Sequence, residues 1–452
     1  MKTIIITSFH PHISRNILAT DFLSVLRLSP DTRVVIVTAD YKVGYFKKIF
    51  GGSNVFIEGV KMYQSSRTFR GNVFKKMGMF LFDSETARLK KRYQYYCEGK
   101  YGYYLFGVIA RYAGRSVLVR RFVRFLDARF SPKGFFAHIL LMYRPDLLFS
   151  TDIQNENDVS FMFEARAYGI PVIGMIRSWD NPSQRILRVL PDHLFVGSIT
   201  LRDEVTGFYR YPASKISVVG TPHHDRYLKG PKISRSEFCH VIGLDPARPF
   251  LLYAPVGDAL IRSNDIDQHI MQVIAQLGIQ ILVRFPPDES VKLTNFVRPS
   301  HMVYDRPGIV FKDQEFADRE ISVEDDQRLI DALYHAKLVI SGPTSIPLDA
   351  ALIDKPSILV HFYPVARGFC QSVYSFDAAH IKKLIATGGV SYVRSKDELF
   401  RSVKRYIADP GSDRAGRARI RSLWFSHADG RAGERTAREI LTFAKKFRLQ
   451  EL

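Results

Sequence analysis

Residues 338–351 read LVISGPTSIPLDAA and combine an apolar run, a turn of small residues and the start of a second apolar segment. The run ends at Ser341, and the proline that follows is typical of the first turn of a helix beginning near Ser345. Such a turn presents backbone N–H groups and hydroxyls, which suits a phosphate group. Alternatively, Thr344 or Ser345 only caps the helix. The stretch predicts a strand–turn–helix unit of a parallel sheet.

Short apolar runs alternate with helical patterns on both sides of this stretch. One series of predicted strands extends from Thr3–Thr7 to Ile216–Val219. A second extends from Phe250–Ala254 to Ser357–His361 and includes Ile309–Phe311. Near-continuous apolar strands separated by amphipathic helices are typical of parallel sheets covered on both faces. We therefore expect an α/β chain built from two Rossmann-like domains.

A break in this alternation predicts the domain boundaries. Residues 227–249 contain three prolines and interrupt the pattern, so we place the hinge there. We expect an N-terminal domain over residues 1–228, a C-terminal domain over 229–430 and a closing helix over 431–452. Ligands of open parallel sheets bind beyond the carboxyl ends of the strands. Two such domains facing each other would hold the active site in the cleft between them.

The composition of the 452 residues restricts the class of protein. With 46% hydrophobic and 13% aromatic residues, the chain can bury large cores and is not a disordered protein. Lys and Arg number 65 against 45 Asp and Glu, and this net charge of +20 predicts an anionic partner. Three cysteines are too few for a disulfide framework, which favours the cytoplasm. No apolar run reaches the ~20 residues that span a bilayer.

The positive charge is concentrated in residues 61–144, which hold 18 basic and four acidic residues among many aromatics. A helix predicted there separates an apolar face from a basic face. Those faces comprise Val119, Phe122, Val123 and Leu126 on one side, and Arg120, Arg121 and Arg124 on the other. This pattern favours docking on an anionic membrane. The alternatives are a core helix with a solvated basic face and, less favoured, a nucleic-acid surface without any recognition motif.

Polar side chains follow several predicted strands of the first domain. They are His10, His12, Asp152, Arg177, Asp180 and Asn181. Either histidine could act as general base, because the imidazole pKa lies near 6.5, or could simply pack against neighbours. Either aspartate could accept a proton or contact a sugar hydroxyl. The arginine and asparagine are candidate substrate ligands in the same loop.

The second domain supplies candidate donor ligands. They are Arg284, Ser341, Gly342, Thr344, Ser345 and Asp349. Arg284, at the end of a predicted strand, could donate to a diphosphate or form a structural ion pair. Asp349 follows Ser345 by about one helical turn and could reach a ribose hydroxyl.

Neither a metal ion nor a cofactor is expected. Asp265 and Asp267 imitate a metal-binding Asp-x-Asp, but they precede a predicted helix and are interpreted as capping residues. The histidine pairs lack a third ligand nearby in sequence. The chain contains no Gly-x-Gly-x-x-Gly, Walker or Gly-x-Ser-x-Gly motif, which excludes common dehydrogenases, nucleotide triphosphatases and serine hydrolases.

From about Asp146 onward the chain resembles the GT-B glycosyltransferase-like families of bacterial surface polymers. Residues 340–356 are similar to their donor-nucleotide motif. Segments 252–255, 283–287 and 429–435 are similar to the CDP-glycerol glycerophosphotransferase-like group. Two histidines of that group are replaced here, which favours sugar transfer over glycerol-phosphate transfer. The hydrolysing UDP-GlcNAc 2-epimerases share the fold and a similar donor motif.

The resemblance implies a metal-independent glycosyltransferase of the GT-B type. It would take a nucleotide-activated sugar as substrate and extend a lipid-linked surface glycan, such as a capsule or O-antigen. The enzyme would be cytoplasmic and peripheral on the inner face of the membrane, with no nucleic-acid partner. The alternatives are a glycerophosphotransferase-like polymer transferase, a nucleotide-sugar 2-epimerase, and a non-catalytic protein that binds anionic lipid or glycan.

Overall fold

The computed structural model of the chain describes residues 1–62, 68–258, 265–287, 290–311 and 319–449. The chain divides into two compact units. The first comprises Met1–Asp225 with Ser426–Leu452, and the second comprises Arg226–Phe425. The chain therefore leaves the first unit and returns to it, so the terminal helix belongs to the first unit rather than standing apart.

The first unit is built on a seven-stranded sheet in which every strand is parallel to its neighbours. Its strands are β1 (Lys2–Ser8), β2 (Thr32–Ala39), β3 (Val55–Val60), β4 (Leu147–Ser150), β5 (Val172–Met175), β6 (His193–Val196) and β7 (Ile216–Val218). They are ordered β3-β2-β1-β4-β5-β6-β7. The central apolar runs, such as Ile4–Ile6, are fully buried because helices cover both faces of the sheet.

Within the described residues, nine α-helices lie between the strands of this unit. They are α1 (Asp21–Arg27), α2 (Val43–Phe50), α3 (Phe69–Phe80), α4 (Glu85–Glu98), α5 (Tyr101–Ala113), α6 (Val117–Phe130), α7 (Ala137–Tyr143), α8 (Glu156–Ala167) and α9 (Ile199–Tyr209). Five of them, α3 to α7, form the long crossover from β3 to β4. Within the described parts of the chain, none of the helices combines the length and apolar character needed to cross a membrane.

The second unit repeats the plan with six parallel strands. They are β8 (Phe250–Ala254), β9 (Gln280–Arg284), β10 (Met302–Asp305), β13 (Val339–Ser341), β14 (Ser357–Val360) and β15 (Ser391–Val393). Two short strands, β11 (Ile309–Val310) and β12 (Arg319–Glu320), lie between β10 and β13 in the chain and form a separate sheet. The sheet order is β10-β9-β8-β13-β14-β15. Both sheets thus have the doubly wound order in which strand succession reverses beside the first strand.

The helices of the second unit surround this sheet. They are α11 (Arg235–Ile242), α12 (Ile266–Ala275), α13 (Val323–His335), α14 (Ile346–Leu352), α15 (Ala379–Ala386), α16 (Lys396–Ala408) and α17 (Arg414–Trp424). Helix α10 (His224–Leu228) spans the boundary between the units, and the chain closes with α18 (Ala432–Leu449). The prediction of two Rossmann-like α/β domains is therefore confirmed.

The predicted strand Ile309–Phe311 forms over Ile309–Val310 but lies outside the main sheet. Residues 309–310 pair antiparallel with β12 in a separate two-stranded ribbon, and the strand at that edge of the main sheet is β10. Met302–Asp305 mixes apolar and polar residues and is only partly buried, as expected of an edge strand. It therefore lacks the continuous apolar run that marks the inner strands.

Helix α6 turns a different face outward from the one expected. Phe122 is 61% exposed, whereas Arg120 is buried and its Nη1 donates to the carbonyl of Phe208 at 2.6 Å. Arg124 likewise donates through Nε to a backbone carbonyl at 2.8 Å. The prediction that Arg120, Arg121 and Arg124 share a solvated face is wrong, since Arg121 alone of the three is exposed. Helical spacing separates two faces but does not tell which one the neighbouring loops will cover.

Helix α18 is anchored to the first unit at its N-terminus. The carboxylate of Asp225 accepts from the backbone N–H groups of Ala432 at 3.0 Å and Gly433 at 2.8 Å. Arg435 donates to the carbonyl of Val219 at 2.8 Å. Segment 429–435, one of those that carried the family resemblance, therefore holds the returning chain against the end of the first sheet.

Candidate functional site

The first unit collects polar side chains where its strand order reverses, between β1 and β4. His10 and His12 follow β1, and their rings meet edge to face with centroids 5.0 Å apart. Thr151 and Asp152 follow β4, and Thr151 binds the end of β1 through the hydroxyl of Thr7. Loops after parallel strands meet at one edge of a sheet, so the topology brings these residues together.

Side-chain hydrogen bonds join the loops after β4 and β5 to each other. Arg177 donates from Nε to the carboxylate of Asp152 at 2.8 Å. The side chains of Asn181 and Gln154 are joined by a hydrogen bond of 3.2 Å. The carboxylate of Asp180 accepts from Ser178 at 2.6 Å and also from the amide of Gln184. All six first-domain candidates thus lie in the loops at this one edge of the sheet.

Both histidines are held in the neutral state. Burial lowers the pKa of His10 well below its ordinary value, and the positive charges of Arg177, Lys42 and Arg15 act in the same direction. Burial likewise lowers the pKa of His12, assisted by its neighbours His10, Arg15 and Arg177. A neutral imidazole can accept a proton at neutral pH, whereas a protonated one cannot.

A buried carboxyl group that the sequence analysis missed lies beneath this edge. Asp158, in the first turn of α8, accepts hydrogen bonds from the hydroxyls of Thr7 and Ser150, the latter at 2.8 Å. Burial, followed by the negative charge of Asp152, raises the pKa of Asp158 to about 8. No sequence signal distinguishes Asp158, because an aspartate three residues after a capping asparagine is ordinary at a helix start. This carboxyl joins the ends of the two central strands.

In the second unit the strand order reverses between β8 and β13, and Asp267 shapes the loop after β8. Its carboxylate accepts from the hydroxyl of Tyr253 at 2.8 Å and from the N–H groups of Val256 at 2.7 Å and Gly257 at 3.0 Å. Asp265 occupies the N-cap position of α12 without capping it and pairs instead with Arg367. The expectation that these two aspartates cap the helix by their side chains is therefore wrong.

The loop after β13 carries the predicted donor ligands. Thr344 Oγ1 is buried and has no hydrogen-bond partner within the described ranges of the chain. Ser345 is exposed and stands at the N-cap of α14, but its side chain makes no capping hydrogen bond. Asp349 is buried in the first turn of the same helix. Neither hydroxyl is used to cap α14, which was the alternative reading of this stretch.

Gly342 brings the two loops of this edge into contact. A Cβ atom at this position would overlap the side chain of Val256 in the loop after β8. The hydroxyl of Ser341 donates to the carbonyl of Gly342 at 3.1 Å. Ser341 and Gly342 therefore shape the loop that carries Thr344 and Ser345.

Arg284 is not gathered with these residues. Its Nη1 forms an ion pair with Asp305 on β10, and its Nη2 donates to the carbonyl of Asp325 at 2.7 Å. Strand β9 is separated from β13 by β8, and the guanidinium turns toward the far edge of the sheet. The contacts of Arg284 are therefore those of a structural ion pair, which is the alternative to diphosphate binding.

Lys355, also part of the stretch that resembles a donor motif, has a structural role. Its Nζ donates to the carbonyls of Tyr334 at 2.9 Å and Ala336 at 2.7 Å. These carbonyls lie at the end of α13, where a cation satisfies the last groups of the helix. Burial lowers the pKa of this lysine to about 8.

Comparison with known proteins places the chain by its fold. No protein-family model matches it, and no curated protein matches it. It is similar to the UDP-GlcNAc 2-epimerase from Neisseria meningitidis solved with UDP-GlcNAc, with 11% identity over 98% of this chain and 100% of that chain and a TM-score of 0.56. It is also similar to the S. aureus MnaA–UDP co-structure, with 11% identity over 98% of this chain and 97% of that chain and a TM-score of 0.53. The expected resemblance is confirmed at the level of fold: this chain has the two Rossmann-like domains of the GT-B class.

Proposed function

We propose that the protein is a GT-B enzyme whose donor substrate is a nucleotide-activated sugar. The observation that carries the proposal is the pair of hydroxyls of Thr344 and Ser345, which stand at the strand-order reversal of the second sheet without capping the helix behind them. Hydroxyls and backbone N–H groups in such a loop suit a diphosphate. The fold is shared with the S. aureus MnaA structure solved with UDP and with a UDP-GlcNAc 2-epimerase solved with UDP-GlcNAc, so UDP is the nucleotide to test first. Asp349 would face the ribose.

We propose glycosyl transfer as the reaction. A neutral histidine, His10 or His12, would take the proton from an acceptor hydroxyl as its oxygen attacks the anomeric carbon. The bond from that carbon to the diphosphate breaks, and the nucleoside diphosphate leaves with the bonding electrons. Asp152 and Asp180 are weaker candidates for the base, because each carboxylate already accepts hydrogen bonds. Arg177 and Asn181 lie in the loop after β5 and would then position this loop for the acceptor.

The proposed acceptor is a lipid-linked surface glycan, reached from the cytoplasmic face of the membrane. The support is the positive charge of residues 61–144, which contain 18 basic and only four acidic residues. A soluble acceptor does not require such a surface, whereas a lipid-linked one is reached only at the bilayer. Each basic residue near an anionic surface contributes about 1 kcal/mol of attraction.

A second candidate function is inversion of the donor sugar at C2, the reaction of a nucleotide-sugar 2-epimerase. The observation that favours it is the shared fold with several UDP-GlcNAc 2-epimerases. Incubation with UDP-GlcNAc in the absence of an acceptor separates the two reactions. Proton NMR would show inversion at C2 for an epimerase and an unchanged donor for a transferase.

Binding of UDP tests the donor site directly. Wild-type protein should gain thermal stability with UDP by mass action, and the Thr344→Ala, Ser345→Ala double variant should lose most of that gain. Two hydrogen bonds to a charged group are together worth roughly 3–6 kcal/mol. Ser395→Ala, which removes a helix cap elsewhere in the second unit, should keep the UDP response. An unchanged UDP affinity in the double variant would reject the assignment.

Turnover separates an enzyme from a protein that merely binds anionic lipid or glycan. With UDP-GlcNAc and a lipid-linked acceptor extract, the enzyme should release UDP, and replacement of both His10 and His12 by Gln should abolish the release while UDP binding persists. UDP binding with no turnover on any nucleotide sugar would favour the non-catalytic alternative.

A further inference from the structure

Two consecutive helices of the first unit leave apolar side chains uncovered. Leu105, Ile109 and Tyr112 of α5 are 57–69% exposed and follow one another at spacings of four and three residues. The same spacing recurs on α6. There Leu118, Phe122 and Phe125 are 61–75% exposed. Residues so spaced share one face of a helix.

Both helices are held from their opposite faces by the rest of the unit. Each packs against α3, and α5 also packs against α4. On α6 the inward face holds Val123 and Asp127, and Asp127 accepts two hydrogen bonds from Arg188 at 2.8 Å each. The helices are therefore fixed in orientation, and the apolar stripes are an outer surface of a folded unit. We define the α5–α6 crest as these six side chains: Leu105, Ile109, Tyr112, Leu118, Phe122 and Phe125.

The charges beside the crest are almost all positive. Residues 101–130 contain six arginines, of which Arg120 and Arg124 turn inward, and one acid, Asp127, which is buried with Arg188. Asp83 is shared by Arg88 at 3.1 Å, Arg111 at 3.9 Å and Arg115 at 2.9 Å. Its single negative charge cannot balance three guanidinium groups.

Two of these arginines, Arg121 and Arg129, extend the positive border along α6. Arg121 adjoins Phe122 and is exposed, and Arg129 lies one helical turn beyond Phe125 on the same face. An apolar face bordered by arginines matches the interface of an anionic bilayer, where the apolar side chains enter the acyl boundary and the cations meet headgroups. The same charges oppose pairing with a second copy, because two crests would bring arginine against arginine.

We propose that the α5–α6 crest inserts into the headgroup layer of an anionic membrane and orients the first unit on it. This inference rests on the membrane location in the proposed function and names the elements that make the contact. It also changes which residues should be tested. Arg120 and Arg124 bind carbonyls of their own unit, so their replacement would disturb folding, whereas Arg121 and Arg129 are free to be reversed.

The test compares vesicle binding of full-length variants. The crest variant carries Leu105→Ser, Ile109→Ser, Phe122→Ser and Phe125→Ser. A matched control replaces four exposed apolar residues outside the crest: Leu28→Ser, Val241→Ser, Val297→Ser and Val365→Ser. Wild-type protein and the control should sediment with phosphatidylglycerol-containing vesicles and not with pure phosphatidylcholine. The crest variant should bind at least tenfold more weakly.

Two further measurements test how deeply the crest enters the bilayer and whether its binding depends on the neighbouring arginines. A Phe122→Trp variant should show fluorescence quenching by brominated acyl chains beyond that of wild-type protein, which already contains two tryptophans. Arg121→Glu with Arg129→Glu should weaken binding several-fold at low salt, and the difference should shrink as salt is raised. Binding of the crest variant at the wild-type level would overturn the inference. An absence of vesicle binding by the wild-type protein would also overturn it. If light scattering then showed a dimer that the crest variant abolishes, the crest would be an interface between two copies of the chain.

The response to UDP separates this inference from the proposed function. A crest variant that loses vesicle binding but keeps the UDP thermal shift supports the inference. If wild-type protein binds anionic vesicles through the crest but never responds to a nucleotide sugar or UDP, the donor site fails and the crest stands. If UDP binds and the vesicle test fails, the crest is rejected and the donor site stands.

Discussion

At the scale of single residues, Asp158 shows how burial changes what a carboxyl group does. Its side chain is fully buried and its pKa is raised to about 8, so at neutral pH it is protonated. Through Thr7 and Ser150 it joins the ends of β1 and β4, from which the loops with His10 and Asp152 begin. It is thus a positioning residue for the edge of the first sheet.

Stability should therefore depend on the proton of Asp158. An unfolded aspartate releases its proton above about pH 4, whereas the folded one keeps it to about pH 8, so stability falls as pH rises between these values. The slope is up to about 1.4 kcal/mol per pH unit. Asp158→Asn keeps an acceptor for the two hydroxyls and should flatten this decline in urea titrations at pH 5, 6.5 and 8. Asp203→Asn, at an exposed site, is the control, and equal slopes in all three proteins would contradict the prediction.

Gly342 is the residue on which the shape of the second edge depends most directly. Gly342→Ala places a Cβ against Val256 and should force the loops after β8 and β13 apart, at a cost of about 1–3 kcal/mol. We expect a lower melting temperature and weaker UDP binding, with partial rescue by Val256→Ala. Gly368→Ala, whose Cβ would meet no atom within 4 Å, should leave both quantities unchanged. If Gly342→Ala behaved like this control, the close approach of the loops would not matter.

At the scale of elements, an acidic side chain binds the N-terminus of the terminal helix. Asp225 bonds the first two N–H groups of α18 and is itself buried, so its removal leaves both groups without their acceptor. The cost of such buried, unsatisfied donors is about 1–3 kcal/mol.

Asp225→Ala should accordingly lower the free energy of unfolding of the first unit. We also expect faster amide exchange in α18 and in α1, which packs against it. Amide hydrogen exchange followed by mass spectrometry would measure both helices in one experiment. Exchange in α13, within the second unit, serves as the internal reference and should not change. Protection of α18 equal to that of wild-type protein would show that its apolar face alone holds the helix.

At the scale of the whole molecule, each unit gathers its functional candidates, apart from Arg284, at the point where its own strand order reverses. The protein carries a net charge of +20, and the loop after β13, the proposed diphosphate site, presents the hydroxyls of Thr344 and Ser345 without using them to cap α14. Both features stabilise negative charge without requiring a cation.

We therefore expect sugar transfer to continue in EDTA. Product formation should be compared with and without chelator, with a known metal-dependent transferase in the same buffer as the positive control for chelation. Loss of transfer in EDTA that magnesium or manganese restores would contradict the prediction and assign the leaving-group charge to a metal ion.

The sequence by itself determined the architecture and the edges at which to search. Apolar runs such as Ile4–Ile6 and Phe250–Ala254 are buried on both faces, so their pattern alone identifies inner parallel strands. The residues after each strand followed from topology, which is why His10, Asp152 and Thr344 could be named in advance. The strand Met302–Asp305 was missed because an edge strand is only partly buried and its pattern is mixed.

Only the tertiary structure decided which partner each polar side chain takes. Arg284 pairs with Asp305, and Arg120 turns to a carbonyl of its own unit, although both lie in patterns that favoured an anionic ligand. Asp158 looks in sequence like any acidic residue at a helix start. The hydrogen bonds and ion pairs at these positions join residues that are 21 to 151 positions apart in the chain. Local sequence carries no record of such distances, and the folded chain alone brings the groups within reach.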